Sequence, residues 1–151
     1  LGARARDWAD KHEQTFPLTA DELGLEPDAL RCEADGRTPP EGSDRVVSYR
    51  YVPVAKGTPT TILFFEEQDV HPTGRTVVTA SGEAEFVLEE VFRPQMRMQL
   101  KGQAALLDKW IGQAEAKLAE ASEEERPMLE AQKKAHESRR AALQSLQDEF
   151  R

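Results

Sequence analysis

The chain lacks most of the residues from which recognisable sites are built. One cysteine, Cys32, stands in 151 residues, which excludes an internal disulfide framework and any site made of several cysteines. The three histidines, His12, His71 and His136, are scattered, and no two have the short helical or hairpin spacing of a zinc-ligand pair. There is no G-x-S-x-G elbow, no phosphate-binding loop and no G-x-G-x-x-G after a strand, so nucleophilic hydrolysis and dinucleotide binding have no motif to rest on. A cationic surplus is also missing. Lys and Arg number 20 against 28 Asp and Glu, a net charge of −8, whereas a nucleic-acid footprint needs clustered positive charge. The longest strongly apolar piece is Thr61-Ile62-Leu63-Phe64-Phe65, far short of the roughly 20 residues that cross a bilayer. These absences predict no nucleic-acid partner, no membrane insertion, no cofactor and no metal. The chain starts at Leu1 and not at Met, which reads as a soluble product with a processed or truncated N-terminus; its compartment is not legible.

What is present divides the chain. Apolar residues make up 38%, enough to form a core inside a strongly charged surface. Residues 1–44 carry 5 basic and 11 acidic side chains, whereas residues 96–151 carry 10 of each. Val, Ile and Thr occur 16 times between 45 and 92, but after 96 only Ile111 is β-branched. Branching at Cβ stiffens χ1 and favours strands over helices, so the middle and the end of the chain require different backbones.

The first 44 residues read as short helices and loop. A helix over 4–14 would have Trp8 as its one large apolar anchor, and Thr19 with Glu22 three residues on suggests a capping box for a turn that Gly24 ends. A further turn is expected over 28–33, followed by a Gly- and Pro-punctuated loop over 35–43. From Arg45 the apolar period becomes two. Strands are predicted over 45–52, 60–67, 75–80 and 83–92, with short turns that include Ser81-Gly82, which makes an antiparallel meander. Arg93-Pro94 is expected to end it.

The remainder is rich in helix formers, and Leu100, Ala104, Leu107, Ile111, Ala114, Leu118 and Ala121 alternate spacings of four and three. Ser122 with Glu125 is a second capping box, and Pro127 is poorly placed inside a straight helix. The expectation is a hairpin in which facing positions sum to 246. That rule pairs Met96 with Phe150, Leu100 with Leu146, Ala104 with Ala142, Ile111 with Ala135, Leu118 with Met128 and Trp110 with His136. The predicted fold is α+β: an α+β domain over 1–95, comprising a helical and loop segment 1–44 and a four-stranded β-meander 45–92, and a coiled-coil-like antiparallel helical hairpin over 96–151.

Two functions follow from these features. Leu106, Trp110, Leu129 and Leu143 lie beside the seam and must cover something, either the sheet or another chain. The first expectation is therefore a non-enzymatic structural subunit or interaction module that binds a protein partner, or a second copy, through those four residues of the hairpin. The alternative is a small-molecule-binding or hydrolytic domain with an acidic site at the rim of the meander, built from Glu66, Asp69, His71 and Glu89. Cys32 reads as packed, His71-Pro72 as turn chemistry, and Lys133-Lys134 with Arg139-Arg140 as solvated helix surface.

Overall fold

A computed structural model describes residues 1–39, 41, 46–67 and 70–151. It has the α+β architecture that the patterning predicts. Helix α1 (Gly2–Lys11) opens the chain and two short 3-10 turns, Asp21–Leu23 and Pro27–Leu30, follow. Strands β1 (Tyr49–Tyr51), β2 (Ile62–Glu66), β3 (Gly74–Thr79) and β4 (Ala84–Leu88) form one antiparallel sheet in the order 1-2-3-4. Two helices close the fold, α2 (Glu89–Glu120) and α3 (Arg126–Glu149).

Short-range signals account for the turns. Thr19 donates from both its backbone N–H and its hydroxyl to Glu22, and Ser122 does the same to Glu125 at the hairpin tip, so both capping boxes form. Pro127 occupies the first turn of α3, where its missing N–H costs no helical bond. Gly82 turns the chain between β3 and β4 with φ of 85°, a region that Cβ-bearing residues avoid.

Several boundaries differ from the sequence reading, among them that of α1, which spans Gly2–Lys11 and not 4–14. The first strand begins only at Tyr49, because the Ser48 N–H turns aside to the Leu30 carbonyl; Arg45, its expected start, lies outside the described residues, as do Pro40, Gly42 and Ser43 of the expected loop. The fourth strand stops at Leu88 and not at Phe92, and Pro94 sits inside α2 instead of ending the sheet. A proline within a helix costs about 3 kcal/mol. Phe92, Met96 and Leu100 are four apart, all fully buried, and only helical spacing delivers the three to one core face. The seam is also displaced. Leu129 and Leu143 are buried while Met128 is 67% exposed and Ala135 is exposed, so the expected Leu118–Met128 and Ile111–Ala135 pairs do not form. The pairing sum itself is close: the rings of Trp110 and His136 meet at 5.1 Å, and the interhelical ion pairs Arg140–Asp108 and Lys133–Glu115 lie two residues off that register.

The sheet presents two different faces. On one, Phe65 meets the rings of Phe92 and Phe150 at 5.5 and 5.6 Å, and the Arg75 guanidinium lies 4.7 Å over Phe92, so the hairpin covers this side. Gln99 fastens it by bonding both the N–H and the carbonyl of Ile62. On the other face, strand register aligns Tyr51, Phe64, Val78 and Ala84 in one row and Tyr49, Glu66, Thr76 and Phe86 in the next. The Tyr51 hydroxyl donates to the Pro17 carbonyl, and Ala5, Ala9, Phe16 and Leu23 join the same buried cluster as the hairpin's Leu100, Leu107, Leu143 and Leu146. Among the described residues no helix is long and apolar enough to cross a membrane. Leu143→Ala should destabilise the chain by about 2–5 kcal/mol in urea unfolding, as a cavity-forming change does, whereas Met128→Ala should stay within about 0.5 kcal/mol. Equal effects would mean that α3 turns a different face inward.

Candidate functional site

Glu66 ends β2 on the face away from the hairpin and has no exposed surface. Strand alternation forces it inward, and its row partners define its surroundings: Tyr49 on one side, Thr76 on the other, Phe86 beyond. One carboxylate oxygen accepts the Thr76 N–H at 2.7 Å. The other, Oε1, has no partner among the described residues. Two further groups converge on this carboxylate. His71 Nε2 lies 3.6 Å from Glu66 Oε2, and the Cys32 Sγ is 3.9 Å from the same Nε2. Thiol, imidazole and carboxylate atoms all lie within 4.8 Å of one another.

A buried clamp brings Cys32 to this point. Its N–H donates to Ser48 Oγ at 2.9 Å, and that hydroxyl donates to Asp35 Oδ2 at 2.6 Å. Arg37 holds the Asp35 carboxylate with Nε and Nη2, and reaches on to Glu67 at 2.6 Å and to the Val47 carbonyl. Residues 32–37 are thus tied to the end of β2 and to the segment before β1. His71 follows the β2 strand by five residues, and its ring meets Phe86 edge-on at 5.8 Å.

The electrostatics distinguish between chemistries. Burial pushes the Cys32 thiol above its ordinary value, and the neighbouring Glu66 charge adds to the shift. Burial would also raise Glu66, but the neighbouring Cys32 thiol, the Thr76 N–H bond and the His71 imidazole outweigh it and hold the carboxyl below the usual range. Tyr49 is pushed up to about 12 by burial and by the Glu66 charge. A cysteine nucleophile needs a lowered pKa and a histidine that joins thiol to carboxylate through opposite ring nitrogens. Neither condition holds: the thiol is protonated, and carboxylate and thiol approach the same nitrogen. Three donors aimed at one point form a ligand set. In a tetrahedral zinc site, bonds of about 2.3 Å to sulfur and about 2.0–2.2 Å to nitrogen and oxygen separate S from N by about 3.6 Å and N from O by about 3.4 Å. The S–N gap of 3.9 Å and the N–O gap of 3.6 Å need to close by only a few tenths of an ångström.

The sequence-predicted residues separate. Glu66 and His71 come together as the rim reading expected. Asp69 lies outside the described residues. Glu89 is on the opposite face, where Arg75 grips it with two bonds of 2.8 and 2.9 Å and Arg93 adds a third; Arg75 leads the causes that hold its carboxyl below the usual range. Cys32, read from sequence as packed, is the member that sequence reasoning missed, and no spacing relates it to residues 34 and 39 positions away. On the hairpin flank, Leu143 is fully buried, Leu129 is buried, and Leu106 and Trp110 are partly buried against the core. The basic pairs on α3 are also engaged: Lys133 meets Glu115 and Glu137, Arg140 meets Asp108, and Arg139 donates to the Phe16 carbonyl. No family model, curated protein or solved structure matches this chain.

The clamp gives the fold an acid limit. Bonds from Arg37 and Ser48 hold the Asp35 carboxyl far below the usual carboxylate range. A carboxyl that ionises more readily folded than unfolded stabilises the fold fully above its unfolded value of about 4, and that contribution fades as pH falls below it. Asp35→Asn should lower stability at neutral pH and flatten the acid decline in urea midpoints. An unchanged pH slope would show that the clamp does not couple to folding.

Proposed function

We propose that this chain is a divalent-metal-binding domain whose Cys32, Glu66 and His71 hold one zinc-class cation. The observation that carries the reading is the fully buried Glu66, with one carboxylate oxygen unpartnered, set against a thiol and an imidazole that share its approach. A sealed carboxylate without a full set of donors is costly. A cation answers both needs at once: it takes the unpartnered oxygen, and it displaces the thiol proton, so Glu66 and Cys32 together neutralise its two charges. Sulfur, imidazole and carboxylate in one set suit zinc better than the all-oxygen shells of calcium and magnesium. Cys32 and His71 are only half-buried, which leaves a side of the centre open to water. Three protein ligands with an open position is the arrangement of metal sites that activate water, and it is the form in which the hydrolytic reading of the meander rim survives.

Cobalt(II) titration of the full chain tests the metal reading. One equivalent should develop tetrahedral d–d bands and a thiolate-to-cobalt charge-transfer band, and zinc should bleach both. Cys32→Ser should abolish the charge-transfer band, and Asp35→Asn, which touches only the support of Cys32, should weaken binding by about 10-fold. Absence of stoichiometric binding, or a charge-transfer band that persists in Cys32→Ser, would refute the assignment.

The interaction-module reading is the second one, favoured by a different observation. Phe86, Leu88 and Val91 each leave about half of their surface exposed along β4, an edge strand, and into the first turn of α2. The flank of Leu106, Trp110, Leu129 and Leu143 has less area to offer a partner, because the chain's own core already takes most of it. Sedimentation over a range of concentrations should show self-association that Phe86→Ser weakens; a monomer throughout would remove self-docking as a role for this surface.

A further inference from the structure

A second site stands apart from the metal centre and does not depend on it. Where the hairpin meets the N-terminal segment, a cleft of about 470 Å³ opens between α2, α3 and the Thr15, Phe16 and Ala55 backbone. That volume falls within the range of small-molecule sites, roughly 300–1,000 Å³. Three features of its lining point to one class of ligand.

The first is charge. In a chain with 28 acidic residues and a net charge of −8, the cleft is lined by two cations, Arg139 and Lys117, and by no Asp or Glu; burial and the Arg139 charge push the His136 imidazole below its ordinary value. The second is incomplete pairing. Arg139 is partly buried, and it donates from Nη2 to the Phe16 carbonyl, yet its Nε is buried with no acceptor, and it forms no ion pair among the described residues. His136 Nδ1 is likewise buried without a partner. Nearby Glu22 acts on Arg139 only through space. Buried polar atoms without partners are rare in native structures and call for an explanation, and the guanidinium of Arg139, which lines the cleft, is a group that matches a carboxylate. The third is shape. Trp110 and Phe16 contribute the large apolar surfaces of the wall, and an indole favours stacking on a planar group. Lys117, exposed at the rim and without an ion pair among the described residues, adds a steering charge.

We propose that this cleft binds a small organic anion: a carboxylate carried on a planar apolar body, with the carboxylate on Arg139 and His136 and the body against Trp110. Affinity then depends on both halves of the ligand. Removing the charge removes the group that pairs with the Arg139 cation, and removing the body removes the surface packed on Trp110.

The test is a two-dimensional NMR titration of the ¹⁵N-labelled full chain with benzoate, with benzyl alcohol and inorganic phosphate as separate probes. Benzoate should give saturable shifts at the Trp110 indole N–H and at residues 113, 132 and 136 of the two helices. Benzyl alcohol should bind at least about 10-fold more weakly, a difference of about 1.4 kcal/mol. Phosphate should not saturate the same residues. Arg139→Gln should abolish binding. Because Arg139 also holds the Phe16 carbonyl, Gln113→Glu serves as the folded control: Gln113 is exposed on the cleft wall, and a carboxylate there should weaken benzoate at least about fivefold while leaving the remaining spectrum intact. The proposal is overturned if benzoate shifts fail to saturate or scatter over the surface. It is equally overturned if benzyl alcohol or phosphate binds the cleft as tightly as benzoate, or if Gln113→Glu leaves benzoate affinity unchanged.

Discussion

Glu66 closes β2 with a carboxylate that has no exposed surface, and a charge removed from water must be met by donors or by a cation. The Thr76 N–H meets Oε2, His71 Nε2 lies 3.6 Å from that same oxygen, and the rest of this side of the molecule is arranged around the carboxylate. The loop 32–37 carries Cys32 to it, the connection after β2 carries His71 to it, and the Asp35–Arg37–Ser48 clamp prevents that loop from lifting away. Free backbone near a buried charge would be expected to drift toward solvent. Here four side-chain hydrogen bonds to Asp35 and one from Arg37 to Glu67 fix it instead.

The opposite face solves the same problem by different means. Arg75 is also buried in an apolar setting, but its guanidinium is fully answered: the Glu89 carboxylate takes two of its donors, the Glu66 carbonyl a third, and the Phe92 ring its face. Nothing there waits for a ligand. The contrast between Arg75, satisfied within the chain, and Glu66 or Arg139, each with an atom unpaired, separates charges that hold the fold from charges that face something else. By that criterion the two sites lie at opposite places: one at the end of β2 beneath the 32–37 loop, the other between the helices and the N-terminal segment.

Much of the architecture was legible because its causes are local. The change of apolar period near residue 45, the capping box at Ser122 and Glu125, and Pro127 in a first helical turn all act within a few residues, and the facing of Trp110 by His136 follows from simple counting along two helices. The start of α2 was not legible from those signals. Val87, Leu88, Val91 and Phe92 satisfy a strand period over a short window, and Pro94 suggests a break; the deciding fact is that Phe92, Met96 and Leu100 share one core, which is a tertiary property. Helix α3 is rotated relative to its predicted seam: Leu129 and Leu143 turn inward while Met128 turns out. The metal centre was half legible. Glu66 and His71 could be placed on one rim from the meander alone. Cys32 could not, because a loop with no periodicity brings it there, held by a serine and an aspartate that have no signature in sequence.

The most direct test of the account is zinc-edge X-ray absorption on the zinc-loaded chain, which reads the donor atoms themselves. A bound cation at Glu66 predicts one sulfur at about 2.3 Å together with nitrogen and oxygen donors at about 2.0–2.2 Å, and loss of the sulfur shell in Cys32→Ser. A shell of nitrogen and oxygen alone in the native chain would contradict it.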